Sequence, residues 1–480
     1  MGGPDSVSAV SVPDRGVSAT GLQSWTALIG IALGLVATTL LAAGYSLAAC
    51  GLVLVGLGAL WLLLDFSAGA TALFAASLLI PSGISLYFGT AFPLLTFQRV
   101  MLVLLVAVAL VHNAPGYLSA LWTTPHIRLL LGMILLLAVS TALSSQPDLS
   151  RREFFSERVI GLPLYFAVVC MALPDEAAVR RLLTAICAIG FVILVLALVE
   201  AVTGNSIVAS LHLLPPGKLE ELGYGLVLDR RVGLPRVHAV FQHPLELGAF
   251  LVAYIPLVAV FRRHAGSTWT RLFWNLTLLF ALVALVCTWS QGAWIALLFA
   301  VLLMRTGGGR RWIVVLIGIA AFVFVWSRLG FLQTSRADYR RWLVSSVAHA
   351  MWGHHGLGTG PGTFVRTLAV RIASTNETTV ADPLAYSLTM ALEGGPLFVV
   401  LFWWFMLRVL GRAARARVLA AQGGHEETAG LLDALRAGLW ANLFVSAISY
   451  SLFGTTGGFF TAFMLIGATV RLSQMEDIRG

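Results

Sequence analysis

Three arginines and two histidines crowd one short stretch of the chain: Arg230, Arg231, Arg236, His238 and His243, with Pro244 directly after them. Guanidinium groups bind phosphate oxygens through paired, charge-assisted hydrogen bonds. Imidazole is the side chain best suited to moving a proton near neutral pH. Pro244 fits the first turn of a helix, where a missing N–H leaves nothing unsatisfied, and the positive end of that helix's dipole adds to the field of the arginines. Such a corner suits a phosphate.

A second basic set, Arg336, Arg340 and Arg341, lies where Tyr339, Trp342, Leu343, Val347 and Met351 recur at helical spacing. This predicts an amphipathic helix lying in the headgroup plane, with its guanidinium groups level with a lipid diphosphate. The plainer alternative is that they bind ordinary anionic headgroups. Behind it, Gly353 to Gly362 has the composition of a phosphate-cradling loop but lacks the Lys and Ser/Thr of a nucleotide-binding one, and a structural turn is the simpler role. Neighbouring His354 and His355 diverge and have no carboxylate or cysteine at ligand spacing, so no metal is expected.

Both basic sets fall in polar stretches, 205–242 and 328–382, that interrupt a chain otherwise close to continuous hydrocarbon. The composition is 58% hydrophobic and 11% charged, with a mean hydropathy of +0.88, which excludes a soluble globular domain. A helix needs roughly 20 apolar residues to cross the hydrocarbon core, and about fourteen runs qualify, with roughly twelve as a lower bound. They begin near Trp25, Leu47, Ala70, Val100, Leu129, Val159, Leu182, Pro244, Leu272, Gly292, Trp312, Pro383, Leu439 and Gly457. Segments such as Met101 to Val111 and Ile313 to Val325 are apolar all round, without the alternation of a membrane barrel.

The expected fold is therefore an all-α, polytopic integral membrane protein with about 12–14 transmembrane helices. Residues 1–21 form a disordered cytoplasmic tail, and 22–480 a single membrane domain whose first apolar run is an uncleaved helix. Arginines recur in alternate loops, at Arg262 to Arg271, at Arg305 to Arg311, across a cytoplasmic loop at 408–436, and in the tail at Arg471 and Arg479. By the positive-inside rule both termini are cytoplasmic and both long loops extracytoplasmic. The net charge of +9 is then a topological signal, and nucleic acid need not be invoked as a partner. Cys50, Cys170, Cys187 and Cys287 all sit in apolar runs, as packing residues do. Among intramembrane carboxylates, Glu393 lies about ten residues into its run, near mid-membrane, and precedes Gly394, Gly395 and Pro396, which suggests a hydrogen-bonding role at a helix break.

Three stretches, in order, resemble the O-antigen ligase and Wzy-type polymerase superfamily of bacterial membrane glycosyltransferases. Arg236 to Gly248 is similar to the family's arginine, Phe-x-His-Pro and small residue at a helix start. Thr288 to Trp294 resembles its Ser-Arg-Gly-Ala-Trp turn. Arg340 and Trp342 through Gly356, Gly358, Gly360 and Phe364 to Tyr386 and Glu393 follow in the family's order. The resemblance implies a GT-C-like fold that needs no metal, nucleotide sugar or other cofactor and acts on undecaprenyl-diphosphate-linked oligosaccharide at the outer face of the bacterial cytoplasmic (inner) membrane. Membrane lipids would surround it, and flippase and chain-length-control proteins of the same pathway would be its partners.

It also implies roles. Arg236, Arg340 and Arg341, with Arg230 and Arg231, would hold the diphosphate, and His243 or Asp382 would take the proton of the attacking hydroxyl. His238, His354, His355 and Glu393 are additional possibilities. The chain departs from the family pattern at two places: Gln291 stands where arginine is common, and Ala381, Asp382, Pro383 replace the His-containing end of the second loop found in ligases. The reading preferred is a polymerase of exopolysaccharide or O-antigen repeat units, then a ligase acting on a lipid A core or other acceptor, then a lipid or polysaccharide transporter.

Overall fold

The computed structural model describes residues 62, 65–81, 85–86, 95–96, 99–111, 126–155, 164–210, 227–231, 233–305, 334–354, 356–364, 367, 386–446 and 456–479. The expected spans near Trp25, Leu47 and Trp312 lie outside or almost wholly outside these residues. In chain order the helices are α1 (Phe66–Leu79), α2 (Arg99–Val111), α3 (Ile127–Ala142), α4 (Pro147–Glu153), α5 (Tyr165–Ala172), α6 (Glu176–Thr203) and α7 (Ile207–Ser210). There follow α8 (Pro244–Arg263), α9 (Thr268–Cys287), α10 (Gln291–Arg305), α11 (Thr334–Gly353), α12 (Tyr386–Gln422), α13 (Glu426–Ser446) and α14 (Thr456–Arg479). Two antiparallel pairs of two-residue strands complete the described elements: β1 (Ser85–Leu86) with β2 (Leu95–Thr96), and β3 (Arg230–Arg231) with β4 (Leu234–Pro235).

Among the described residues, α6, α8, α9 and α12 are long and apolar enough to cross a membrane. Their packing agrees with lipid as the solvent. α8 is central: 89% of its apolar window is buried, against 28% for α9. On α9 the small or polar residues Thr277, Ala281 and Ala284 face inward together with Trp274 and Leu285, while Leu272, Leu276, Leu279, Leu282, Val283 and Val286 are exposed. Water would reverse that arrangement, whereas helices in hydrocarbon gain by close approach at small residues. Close approach recurs elsewhere: Gly190 lies under the Tyr254 ring, Gly438 against the Ala253 backbone, and Gly248 against Ser290 and Ala293.

The bundle has two distinct ends. At one, ion pairs join Arg180 to Glu427 (3.0 Å), Arg479 to Glu176 (2.9 Å) and Arg412 to Asp477 (2.7 Å), tying α6, α12, α13 and α14 together. At the other, Ser387 Oγ donates to the Ser446 carbonyl (3.2 Å) and Asn442 Nδ2 to the Ala249 carbonyl (3.2 Å). The C-terminus of α13 is thus level with the N-termini of α8 and α12. Both polar stretches emerge at this second, loop-bearing end.

Two expectations are corrected. The 408–436 stretch is not an open loop: α12 runs through it to Gln422, and α13 starts at Glu426, leaving a turn at Gly423, Gly424 and His425. Its alanines, leucines and arginines are strong helix formers, and Asp433 satisfies two of its arginines, Arg417 and Arg436, each at 3.3 Å. Glu393 is also not at mid-bundle. Its carbonyl accepts from Ser140 Oγ, one turn from the C-terminus of α3, and so lies near the loop-bearing end. Its depth is set by the break it precedes, where α12 leaves helical geometry at Gly395 (φ 81°), before Pro396.

Candidate functional site

The first polar stretch is anchored from below by Glu200, fully buried in the last turn of α6. One carboxylate oxygen accepts from the Ile207 N–H (3.0 Å), and the other from the N–H groups of His238 (2.9 Å) and Ala239 (2.7 Å). A buried carboxylate is tolerable only when hydrogen bonds replace water, and three backbone donors do so here. The attachment holds Ala239 in the left-handed region (φ 51°) and turns the chain towards α8. Gly204, itself left-handed (φ 72°), ends α6 immediately beside it.

Arg236 projects from this platform. Its backbone N–H donates to the Asp229 carbonyl (2.8 Å), closing the β3–β4 hairpin. Its Nε donates to the Thr288 carbonyl (3.3 Å) and its Nη1 pairs with Asp229 Oδ2 (3.2 Å). The neighbouring Val237 N–H donates to the Cys287 carbonyl (3.2 Å). The stretch from Arg236 to Gly248 therefore meets the stretch from Thr288 to Trp294, and the contact repeats where Gly248 packs against Ser290 and Ala293. The second stretch is tightly shaped: Trp289 is left-handed (φ 52°), and Trp294 Nε1 donates to the Leu285 carbonyl (2.9 Å). Gln291 is exposed at the start of α10.

Arg236 has five N–H donors, of which two hold these partners. The Arg236 side chain is 13% exposed and that of Asp229 72%, so the carboxylate can turn into solvent and yield its place on the guanidinium to an incoming anion. Arg230 lies in the same hairpin with its guanidinium near Gly204, and Arg231 follows it on β3.

The histidines divide. His243 caps α8: its Nδ1 accepts from the Leu245 N–H (3.1 Å), which puts the proton of the neutral ring on Nε2. In that tautomer His243 offers a donor, suited to a phosphate oxygen. To accept a proton it must give up the cap. His238 is buried, with its Nδ1 3.3 Å from the Ala239 carbonyl, so its ring belongs to the Glu200 platform.

The glycine-rich stretch behaves otherwise than a phosphate cradle. The N–H groups of Thr359 and Gly360 donate to the carbonyls of Leu392 (2.7 Å) and Glu393 (3.0 Å), and that of Gly362 to Glu393 Oε1 (3.0 Å). Ser144 Oγ donates to the Thr359 carbonyl (2.6 Å). With these amides engaged by protein, the loop is a plug seated on the break of α12. Glycine is required at Gly358 (φ 80°), where a Cβ would overlap the Glu393 carbonyl group. Gly360 and Gly362 press on Ser150 and Glu153 of α4, whose Arg151 and Arg152 are exposed at the same end. Upstream, α11 packs here through Val347, in a cluster with Phe364 and Leu392.

Arg340 and Arg341 lie in the first half of α11, where only the backbone is described. His354 follows that helix, half-buried, while His355 and Asp382 lie outside the described residues. Thus Arg230 and Arg236 share one hairpin and His243 caps the helix that follows it, whereas Glu393 and the stretch after His354 form a second cluster at the same end.

No protein-family model and no curated protein matches the chain. The site must be judged on its own chemistry.

Glu200 and Thr288 carry the corner without having been expected in it. A lone carboxylate in the last turn of an apolar helix was a readable signal for Glu200. Thr288 contributes only a backbone carbonyl, which no side-chain pattern announces. Among the described residues, no group of three or more His, Cys, Asp or Glu is arranged to hold a metal.

Proposed function

We propose that the protein transfers a glycan from a lipid diphosphate, as a polymerase joining undecaprenyl-diphosphate-linked repeat units at the outer face of the bacterial cytoplasmic membrane. The observation that supports this best is the Arg236 corner. Two segments separated in sequence meet to hold the Arg236 guanidinium, with Arg230 on the same hairpin and the same chain segment running on through His243 into the N-terminus of a long apolar helix. In the reaction, an acceptor hydroxyl attacks the anomeric carbon, the bond from that carbon to the diphosphate oxygen breaks, and the lipid diphosphate leaves with the electron pair. Fixed guanidinium groups stabilise the charge that develops on it. The hydroxyl's proton goes to a base, for which Asp382 is the better fit because the two histidines are committed to the helix cap and the loop platform. Arg340 and Arg341, carried by α11 at the same end of the bundle, would complete the diphosphate site.

A ligase differs only in its acceptor. The absence of a ligase-type histidine beside Asp382 favours the polymerase. The deciding experiment is reconstitution with purified undecaprenyl-diphosphate oligosaccharide, followed by product-length analysis. Chain extension abolished by Arg236→Ala supports the proposal. Transfer only to an added lipid A core would make the protein a ligase, and lipid translocation without transfer would make it a transporter.

A further inference from the structure

The ion-paired end of the bundle carries a second cationic feature, unrelated to the proposed chemistry. The apolar part of α12 runs to Leu407; Trp404, in its last turn, is half-exposed, and the Arg408 guanidinium lies over its ring at 5.2 Å. Trp at the end of an apolar run, followed by arginine, marks the border between hydrocarbon and headgroups. Arg412 and Arg415 continue the line, and one carboxylate, Asp477, pairs with Arg412. Arg408 and Arg415 are exposed.

Against this helix stands the start of α3. Its N-cap, His126, is left-handed (φ 72°) and provides no side-chain cap, and the first turn contains no acidic residue to offset its amide dipoles. Arg128 is exposed in that turn, and the fourteen residues before His126, 112–125, contain no Asp or Glu. The His126 ring meets Phe405 edge-on at 6.2 Å, and its Nε2 is buried without a hydrogen-bond partner among the described residues. A buried polar nitrogen without a partner is costly, and a ligand oxygen would satisfy it in the tautomer that carries the proton on Nε2.

We infer that the notch between the start of α3 and the Trp404–Arg412 segment of α12 binds the phosphodiester headgroup of an anionic phospholipid. Arg408 and Arg128 would meet the phosphate charge, His126 Nε2–H would donate one hydrogen bond, and the acyl chains would lie along the exposed apolar surface formed by Leu131 and Leu135 of α3 and Val400 and Leu407 of α12. A zwitterionic lipid offers the same phosphate but cancels its charge, so the notch discriminates by net charge. This site is at the end opposite Arg236 and does not depend on the glycan-transfer reading.

The test places the full chain in nanodiscs of phosphatidylcholine, with or without phosphatidylglycerol, and reads retained lipid by native mass spectrometry and the thermal midpoint. Phosphatidylglycerol should be retained preferentially and raise the midpoint. Arg408→Gln and Arg128→Gln should each lower that preference by roughly five-fold, the equivalent of about 1 kcal/mol per cation near a headgroup surface. Their midpoints in pure phosphatidylcholine should equal that of the parent, which establishes that the variants are folded. Should Arg408→Gln fail to fold, His126→Phe keeps the ring contact with Phe405 and should still reduce the preference. Equal retention of both lipids, an undiminished preference in all folded variants, or the same stabilisation by inorganic phosphate alone would each overturn the inference.

Discussion

Arg236 Nε donates to the Thr288 carbonyl across 52 residues of sequence, so the guanidinium is held by the backbone of a different helix end as well as by Asp229 of its own hairpin. Preorganised cations aimed at developing charge cost no rearrangement during reaction. Arg236→Ala should therefore reduce glycan transfer by roughly a hundred-fold or more, with little change in thermal midpoint. Arg236→Lys should recover only part of the loss, because a point charge cannot hold Thr288, Asp229 and a phosphate at once. Transfer rates in proteoliposomes check both. Equal activity of the lysine variant would show that charge alone suffices.

Asp229 competes with substrate for the same guanidinium, at 3.2 Å from Nη1. Asp229→Asn keeps the side chain's size and removes the competing charge, so it should lower the KM for the lipid-linked donor severalfold. Its kcat should fall if the pair also orients Arg236. Steady-state kinetics with varied donor distinguish these effects.

Glu200 should be far less tolerant. Its carboxylate serves three backbone donors, and each one left unsatisfied costs roughly 1–3 kcal/mol. Glu200→Ala should lower the thermal midpoint and open the stretch after Asp229 to limited proteolysis. Glu200→Gln should do so more mildly, since one of its two atoms is itself a donor. An unchanged proteolysis pattern for Glu200→Ala would mean that the hairpin and Arg236 hold the loop without it.

How much of this was legible in the sequence depended on the range of each interaction. The helix at Thr334–Gly353 follows from the spacing of Tyr339, Trp342, Leu343, Val347 and Met351, and Pro244 correctly marks a helix start. The break at Gly395 follows from the Gly-Gly-Pro run. These are local signals, written in neighbouring residues. Contacts such as Arg236 with Thr288, or Gly358 with Glu393, join segments whose proximity only the packed helices determine. Charge misled once, at 408–436, where arginines that suggested a loop instead lie on two helices and pair with Asp433.

The glycine plug yields a paired prediction. Gly358→Ala places a Cβ against the Glu393 backbone at a left-handed position, so it should destabilise by about 2 kcal/mol or more. Gly353 closes α11 with no atom within 4 Å of an added Cβ. Gly353→Ala should be neutral or stabilise by about 0.4–1 kcal/mol through the unfolded chain. Thermal midpoints of the two variants, measured in one lipid, should move in opposite directions or differ clearly in size. Matching losses would indicate that the stretch is not seated on α12.

Acid should weaken the opposite end of the bundle first. Burial, then the charges of Arg412 and Arg408, push the His126 imidazole down to about 4. Above its ordinary value near 6.5 the ring is neutral in folded and unfolded chains alike, and it contributes no pH dependence. As the pH falls from about 6.5 towards about 4, the unfolded chain takes up a proton that the folded one refuses, so stability declines across that window. Below the folded value both forms are protonated and the loss is complete. His126→Phe should remove this component of the slope, and Arg408→Gln should shrink it by weakening one of its causes. Thermal midpoints of parent and variants between about pH 7 and about pH 4.5 provide the measurement. A parent and His126→Phe variant that lose stability in parallel would assign the acid sensitivity to carboxylates elsewhere, such as those of the ion pairs joining α6, α12, α13 and α14.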